Sequence, residues 1–107
     1  MTEITISVGL NDAVTKLQEH PTEVYVDIMK NVCQSYHVAF SFIVSDGGYF
    51  HENGDYTQEK TLVICLLDPE KGVVDGIARD LCAFFHQESV LLTESKVRAY
   101  YIKEELK

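Results

Sequence analysis

The hydrophobic period of this chain switches repeatedly between two and about 3.6, and the order of the switches leaves few folds open. Ile4, Ile6, Val8 and Leu10 alternate with Glu3, Thr5, Ser7 and Gly9, the pattern of a strand with one buried face. Val24, Tyr25, Ile28, Met29, Val32, Cys33 and Tyr36 then recur at helical spacing, with Pro21 suited to the first turn of a helix over about 21–36. Val38, Phe40, Phe42 and Val44 alternate again, and 61–67 is apolar on both faces, as a central strand should be. Asp68 and Pro69 fit the N-cap and first position of a second helix, whose buried side runs from Val73 through Ile77 and Leu81 to Phe85. A strand over 89–93 and a further one over 96–102 complete the order. Ala13–Glu19 could begin a short helix before Pro21 interrupts it.

This succession is β-α-β-β-α-β with an extra C-terminal strand. It predicts an α+β, ferredoxin-like sandwich: one antiparallel sheet with two helices on one face. At 107 residues and 46% hydrophobic content, the chain suits a single domain spanning 1–107 with one core.

The densest stretch of turn-formers is Asp46–Asp55, which holds three glycines, three acids, two aromatics and a histidine. Asn53-Gly54 is a strong hairpin signal, so the two middle strands should extend through Tyr49–His51 and Tyr56–Glu59 and join there. Gly47-Gly48 then reads as a bulge or bend, not as a phosphate loop, since the spaced glycines and Lys-Ser/Thr are missing. Alternation places several of Tyr49, Phe50, Tyr56, Tyr100 and Tyr101 on the sheet face away from the helices, the makings of a contact surface.

Composition narrows the function classes. Cys33, Cys65 and Cys82 form no C-x-x-C motif and sit in apolar segments, which points to buried free thiols in a reducing, cytoplasmic setting. No secretory signal and no apolar run long enough to span a bilayer is visible, so no membrane role is expected. Net charge is −8, and between Leu17 and Glu59 seven acids face Lys30 alone, a net −6. Direct nucleic-acid binding is therefore disfavoured, while a basic protein partner would be steered in.

His20, His37, His51 and His86 are scattered, and no metal or cofactor is expected, because His51 with Glu52 and Asp55 lacks converging ligands. No catalytic constellation is legible, which leaves enzymatic activity open and leans against it. The tentative binding residues are Tyr49, Phe50, His51, Glu52, Glu59, Gln87, Glu88 and Ser89. The expected role is a small acidic, non-catalytic interaction protein that self-associates as a homodimer through its sheet. The alternatives are a phage-type acidic inhibitor of a nucleic-acid-binding host protein, or an enzyme or small-molecule sensor with a pocket near His51, Glu59 and Glu88.

Three blocks carry a resemblance: I-T-I-S-V-G-L at Ile4–Leu10, F-S-F-I-V-S-D-G-G-Y-F followed by E-N-G-D and Glu59, and F-F-H-Q-E-S-V at Phe84–Val90. Together they resemble a bacterial family of small uncharacterised proteins, a domain of unknown function with a terminal F-x-Q-E-S-V. Many of its members are exported. The family has no established activity, so the resemblance implies a fold and no mechanism. If it marks a site, it points to Gln87, Glu88 and Ser89.

Overall fold

The computed structural model describes residues 1–106. Six elements follow in order: β1 (Thr2–Gly9), α1 (Thr22–Ser35), β2 (Ser41–Phe50), β3 (Tyr56–Leu67), α2 (Lys71–Phe84) and β4 (Leu91–Lys96). All strand pairs are antiparallel, and the sheet order is β2-β3-β1-β4. This is the ferredoxin-like α+β arrangement expected from the periodicities, with both helices on one face.

The two strand faces separate cleanly. Ile4, Ile6, Val8 and Leu10 are buried beneath the helices together with Leu62, Ile64 and Leu66 of β3. Tyr25, Met29, Val32 and Cys33 of α1 and Val74, Ile77 and Leu81 of α2 close over them. Each large apolar side chain buried this way contributes about 1.5–3 kcal/mol. The Tyr25 ring meets Phe85 edge-on, with centroids 5.0 Å apart. Tyr36 fits over Gly76, where a Cβ would lie 2.6–2.8 Å from its hydroxyl and ring, and donates its hydroxyl proton to Asp80 across 2.9 Å. That bond to a carboxylate pushes the Tyr36 phenol above its ordinary value. Burial likewise pushes the Cys33 thiol up to about 11.

Both helices end in the same way. His37 and His86 adopt left-handed φ of 54° and 51° one residue past each cap. Their N–H groups, and those of the residues that follow, fold back on carbonyls of the last turn: His37 on Gln34, Val38 on Cys33, His86 on Ala83 and Gln87 on Cys82. This is the Schellman closure, with histidine where glycine is usual. At α2 the turn brings Gln87 to the end of β1, where its side chain bonds to the Asn11 carbonyl.

Several local expectations are corrected. Ala13–Glu19 forms no helix; the Asp12 carboxylate accepts the N–H groups of Val14 (2.7 Å) and Thr15 (3.1 Å) and sets a tight turn instead. Asp68 does not cap α2, which starts after Glu70; its backbone N–H bonds to the Thr2 carbonyl (2.6 Å) and its carboxylate accepts the Thr2 N–H (3.3 Å). Gly47-Gly48 is no bulge, since both keep register with Glu59 and Gln58. Gly48 instead leaves room for the Tyr56 ring, which occupies the space a Cβ there would need. The extra strand over 96–102 is also absent: the β1–β4 ladder ends at Thr2 opposite Lys96, and Val97 adds backbone bonds only to Met1. No described residue stands opposite Ala99–Ile102 to complete a ladder.

Before Thr61, β3 has no β1 partner in the ladder and pairs with β2 alone, from Tyr56 opposite Phe50 onward. The resulting two-stranded ribbon helps to stretch the molecule to 58 × 29 × 26 Å. The radius of gyration, 15.9 Å, accordingly exceeds the roughly 13 Å of a compact chain this long. Asn53-Gly54 sits at the tip as expected, within a loop closed by His51 N–H to Asp55 (2.8 Å) and Gly54 N–H to His51 (2.9 Å).

Candidate functional site

Strand parity decides what the open face carries. Residues opposite one another across a ladder share a face, so Ser7, Gly9, Tyr49, Glu59, Thr61 and Leu91 all point away from the helices. They line a cleft of about 510 Å³ at the end of β1, within the range of sites that hold nucleotide-sized molecules. Its rim comes from two loops: Asn11 to Lys16 after β1, and Gln87 to Ser89 between α2 and β4.

Glu59 is placed by what its neighbours lack. It stands opposite Gly47 on β2 and beside Gly9 on β1. A Cβ on Gly9 would lie 2.5–2.6 Å from the Glu59 carboxyl atoms, so the glycine is the slot that admits the carboxylate. The Asn11 backbone N–H donates to Glu59 Oε2 across 3.0 Å, and the Asn11 side chain donates to the Gln58 carbonyl across 3.1 Å.

Asn11 is itself held from the other rim. Gln87 Nε2 donates to the Asn11 carbonyl (2.6 Å) and to the Phe85 carbonyl (3.2 Å), while the Cys82 thiol donates to the Gln87 carbonyl (3.1 Å). Ala13 N–H bonds to the His86 carbonyl (2.9 Å), and His86 Nδ1 meets Asp12 Oδ2 at 3.1 Å. The Thr15 and Val14 N–H groups hold the Asp12 carboxyl below its ordinary value of 3.8, and His86 adds to that. The rim is therefore one hydrogen-bonded unit, and Glu59 hangs from it.

Of the residues singled out in the sequence, Tyr49, Glu59, Gln87, Glu88 and Ser89 come together around this cleft. Phe50, His51 and Glu52 do not line it. Phe50 has the opposite strand parity and meets the Tyr56 ring at a tilt (5.2 Å between centroids) on the hairpin ribbon. His51 bonds to Thr57 Oγ1 (2.7 Å) and meets the Tyr49 ring edge-on at 5.1 Å, which makes it a support for the cleft's aromatic wall. Tyr100 and Tyr101 lie in the unpaired tail.

Sequence reasoning passed over Gly9, Asn11, Asp12 and Lys16. Gly9 carried a usable signal, being a glycine inside an alternating strand, which marks close approach of another group. Asn11, Asp12 and Lys16 carried none. Among the described residues, no group of three or more His, Cys, Asp or Glu is arranged to hold a metal, and no helix is long and apolar enough to cross a membrane.

Solved structures share this fold. A phage SAM lyase in complex with S-methyl-5'-thioadenosine superposes with a TM-score of 0.64 at 23% identity, over 89% of this chain and 80% of that one. The apo form of a phage SAM lyase gives 0.66 at 23% identity, over 88% and 78%. No protein-family model matches the chain, and no curated protein does. At this identity the likeness establishes the fold. It also corrects the expectation of a non-catalytic interaction protein: these neighbours are enzymes, and the open face expected to serve as a docking surface carries an acid-floored cleft. The acidic-inhibitor reading shared that non-catalytic premise and falls with it; the pocket expected near Glu59 and Glu88 is present, without His51 in its lining.

Proposed function

We propose that the cleft binds S-adenosylmethionine and releases S-methyl-5'-thioadenosine by lyase chemistry. The observation that carries this reading is Glu59: a carboxylate seated in a glycine slot on the open face of a fold shared with phage SAM lyase. The dimensions support it, since a cleft of about 510 Å³ is ample for a nucleoside with a short arm. Tyr49 is the aromatic ring among the described lining residues and offers the adenine a stacking face.

The chemistry constrains the roles. Breaking the bond between sulfur and the amino-acid arm sends the electron pair to sulfur and turns a sulfonium into a neutral thioether. The arm carbon then takes a pair either from the substrate's own carboxylate, closing a lactone, or from a neighbouring C–H bond that loses its proton. Neither route consumes water, and only the second needs a base, which takes up the released proton. Both remove the sulfonium charge on the way to the transition state. A fixed carboxylate against the sulfonium would thus favour the reactant more than the transition state and slow the step. The productive partner for Glu59 is the α-ammonium, whose charge persists throughout and whose anchoring orients the arm.

Incubation with S-adenosylmethionine, followed by chromatography, should yield S-methyl-5'-thioadenosine. Glu59→Gln should lower turnover by about 10²–10³ while leaving the melting temperature nearly unchanged. Absence of the product, together with no calorimetric binding of S-methyl-5'-thioadenosine, would refute the reading.

Two expectations stand beside it as proposals. A cytoplasmic location is supported by the free thiols of Cys33, Cys65 and Cys82. A homodimer is supported by Ile43, 62% exposed on the open face outside the cleft lining, and sedimentation as a monomer at high concentration would end it.

A further inference from the structure

We infer that Lys16 reads the α-carboxylate of the substrate's amino-acid arm and so determines which adenosyl thioethers and sulfoniums the cleft retains. This rests on the lyase reading above. Lys16 is the base among the described residues lining the cleft. The salt bridges among the described residues join Lys60 to Asp46 and His86 to Asp12, which leaves the Lys16 ammonium without an acid partner.

Its placement is constrained. Lys16 has a φ of 65°, a left-handed conformation that side-chain-bearing residues rarely adopt. The turn that imposes it is closed by Lys16 N–H to the Asp12 carbonyl (2.8 Å) and by the Asp12 carboxylate on Val14 and Thr15. That turn is tied in turn to the α2–β4 rim. A strained residue held at the mouth of a cleft by a braced loop is a reason to look for function there.

The charge pattern points to the ligand class. Asp12 is committed to backbone N–H groups and to His86, so the remaining charged groups on the cleft are Glu59, Glu88 and Lys16. Two anions and one cation mirror the arm of S-adenosylmethionine, which carries a sulfonium, an α-ammonium and one carboxylate. Glu59 sits in the floor and Lys16 on the rim, so the zwitterionic end of the arm would bridge them. Glu88, exposed at the rim, would contribute to the encounter with a cation.

Calorimetry with two uncleavable probes isolates this role. S-adenosylhomocysteine keeps the ammonium and carboxylate but lacks the sulfonium, and S-methyl-5'-thioadenosine lacks the arm altogether. Lys16→Met should weaken S-adenosylhomocysteine about tenfold and leave S-methyl-5'-thioadenosine unchanged, and Lys16→Arg should restore most of the loss. Unaltered S-adenosylhomocysteine affinity in Lys16→Met, equal weakening of both probes, or a wild-type chain that binds only S-methyl-5'-thioadenosine would each overturn the assignment and spare the lyase reading. A wild-type chain that binds neither probe and forms no product would overturn both.

Discussion

The hairpin tip and the cleft both draw on β2 and β3 and both gather aromatic and acidic side chains, yet they differ in what holds those side chains in place. At the tip, partners are close in sequence: His51 bonds to Thr57, Phe50 packs at a tilt against Tyr56, and the Asn53 side chain bonds to the Asp55 carboxylate and accepts the Asp55 N–H. In the cleft, Glu59 takes its hydrogen bond from Asn11, 48 positions away, and Asn11 is in turn held by Gln87, 76 positions from it. Side chains that brace only one another ride on a ribbon that β1 and the helices do not support. Those braced by three separated segments keep a fixed geometry, which binding and catalysis require. The comparison therefore moves the site from the conspicuous loop to the inconspicuous end of β1.

Gly9→Ala would break this comparison most sharply. The added methyl meets the flexible end of Glu59 and not a backbone, so the carboxylate should be displaced while the fold persists. Turnover of S-adenosylmethionine should fall as far as in Glu59→Gln, by about 10²–10³, and thermal unfolding should shift by no more than a few degrees. Full activity in Gly9→Ala would show that the slot does not set the Glu59 position.

Gly54→Ala applies the opposite pressure to the tip. Gly54 has a φ of 91° and open space around it, so the cost is conformational alone, about 1–2 kcal/mol. Denaturant unfolding should register that loss, whereas steady-state kinetics should match the unchanged protein. A large fall in kcat would mean that the ribbon takes part in the reaction.

The smallest effect belongs to the rim's acid clasp. The folded pKa of Asp12 is lowered from 3.8, so its contribution to the rim is fully present above that value and is lost as pH falls through the lowered one. In NMR titrations the amide signals of Val14 and Thr15 should move together with a midpoint below 3.8, while that of Ile64 in the core stays still. A midpoint at or above the ordinary value would show that the clasp is not formed in solution.

Much of the architecture was legible because it is written in local period. Alternation at Ile4–Leu10 and helical spacing at Val24–Tyr36 and Val73–Phe85 each state which face is buried, and the sheet and its helices follow. Errors fell where a local rule met a distant partner. Asp68 has the chemistry of an N-cap, yet Thr2 claims its carboxylate. Gly47-Gly48 has the chemistry of a bend, yet the strand runs straight through both, because Gly48 gives space to Tyr56 and Gly47 stands opposite Glu59. The tail has the alternation of a strand but no described residue opposite it.

The sequence by itself determined the elements, the core and the Asn53-Gly54 turn, since these depend on sterics and burial within a few residues. It also flagged Glu59 and the Gln87–Ser89 block, without saying that they meet. The tertiary structure alone decided that they do. Antiparallel register brought Gly9 beside Glu59, and the Schellman turn at His86 carried Gln87 to Asn11. The Asp12 turn then placed Lys16 on the rim of the same cleft. Strand register and loop docking are cooperative choices of the whole chain, and no short window of residues contains them.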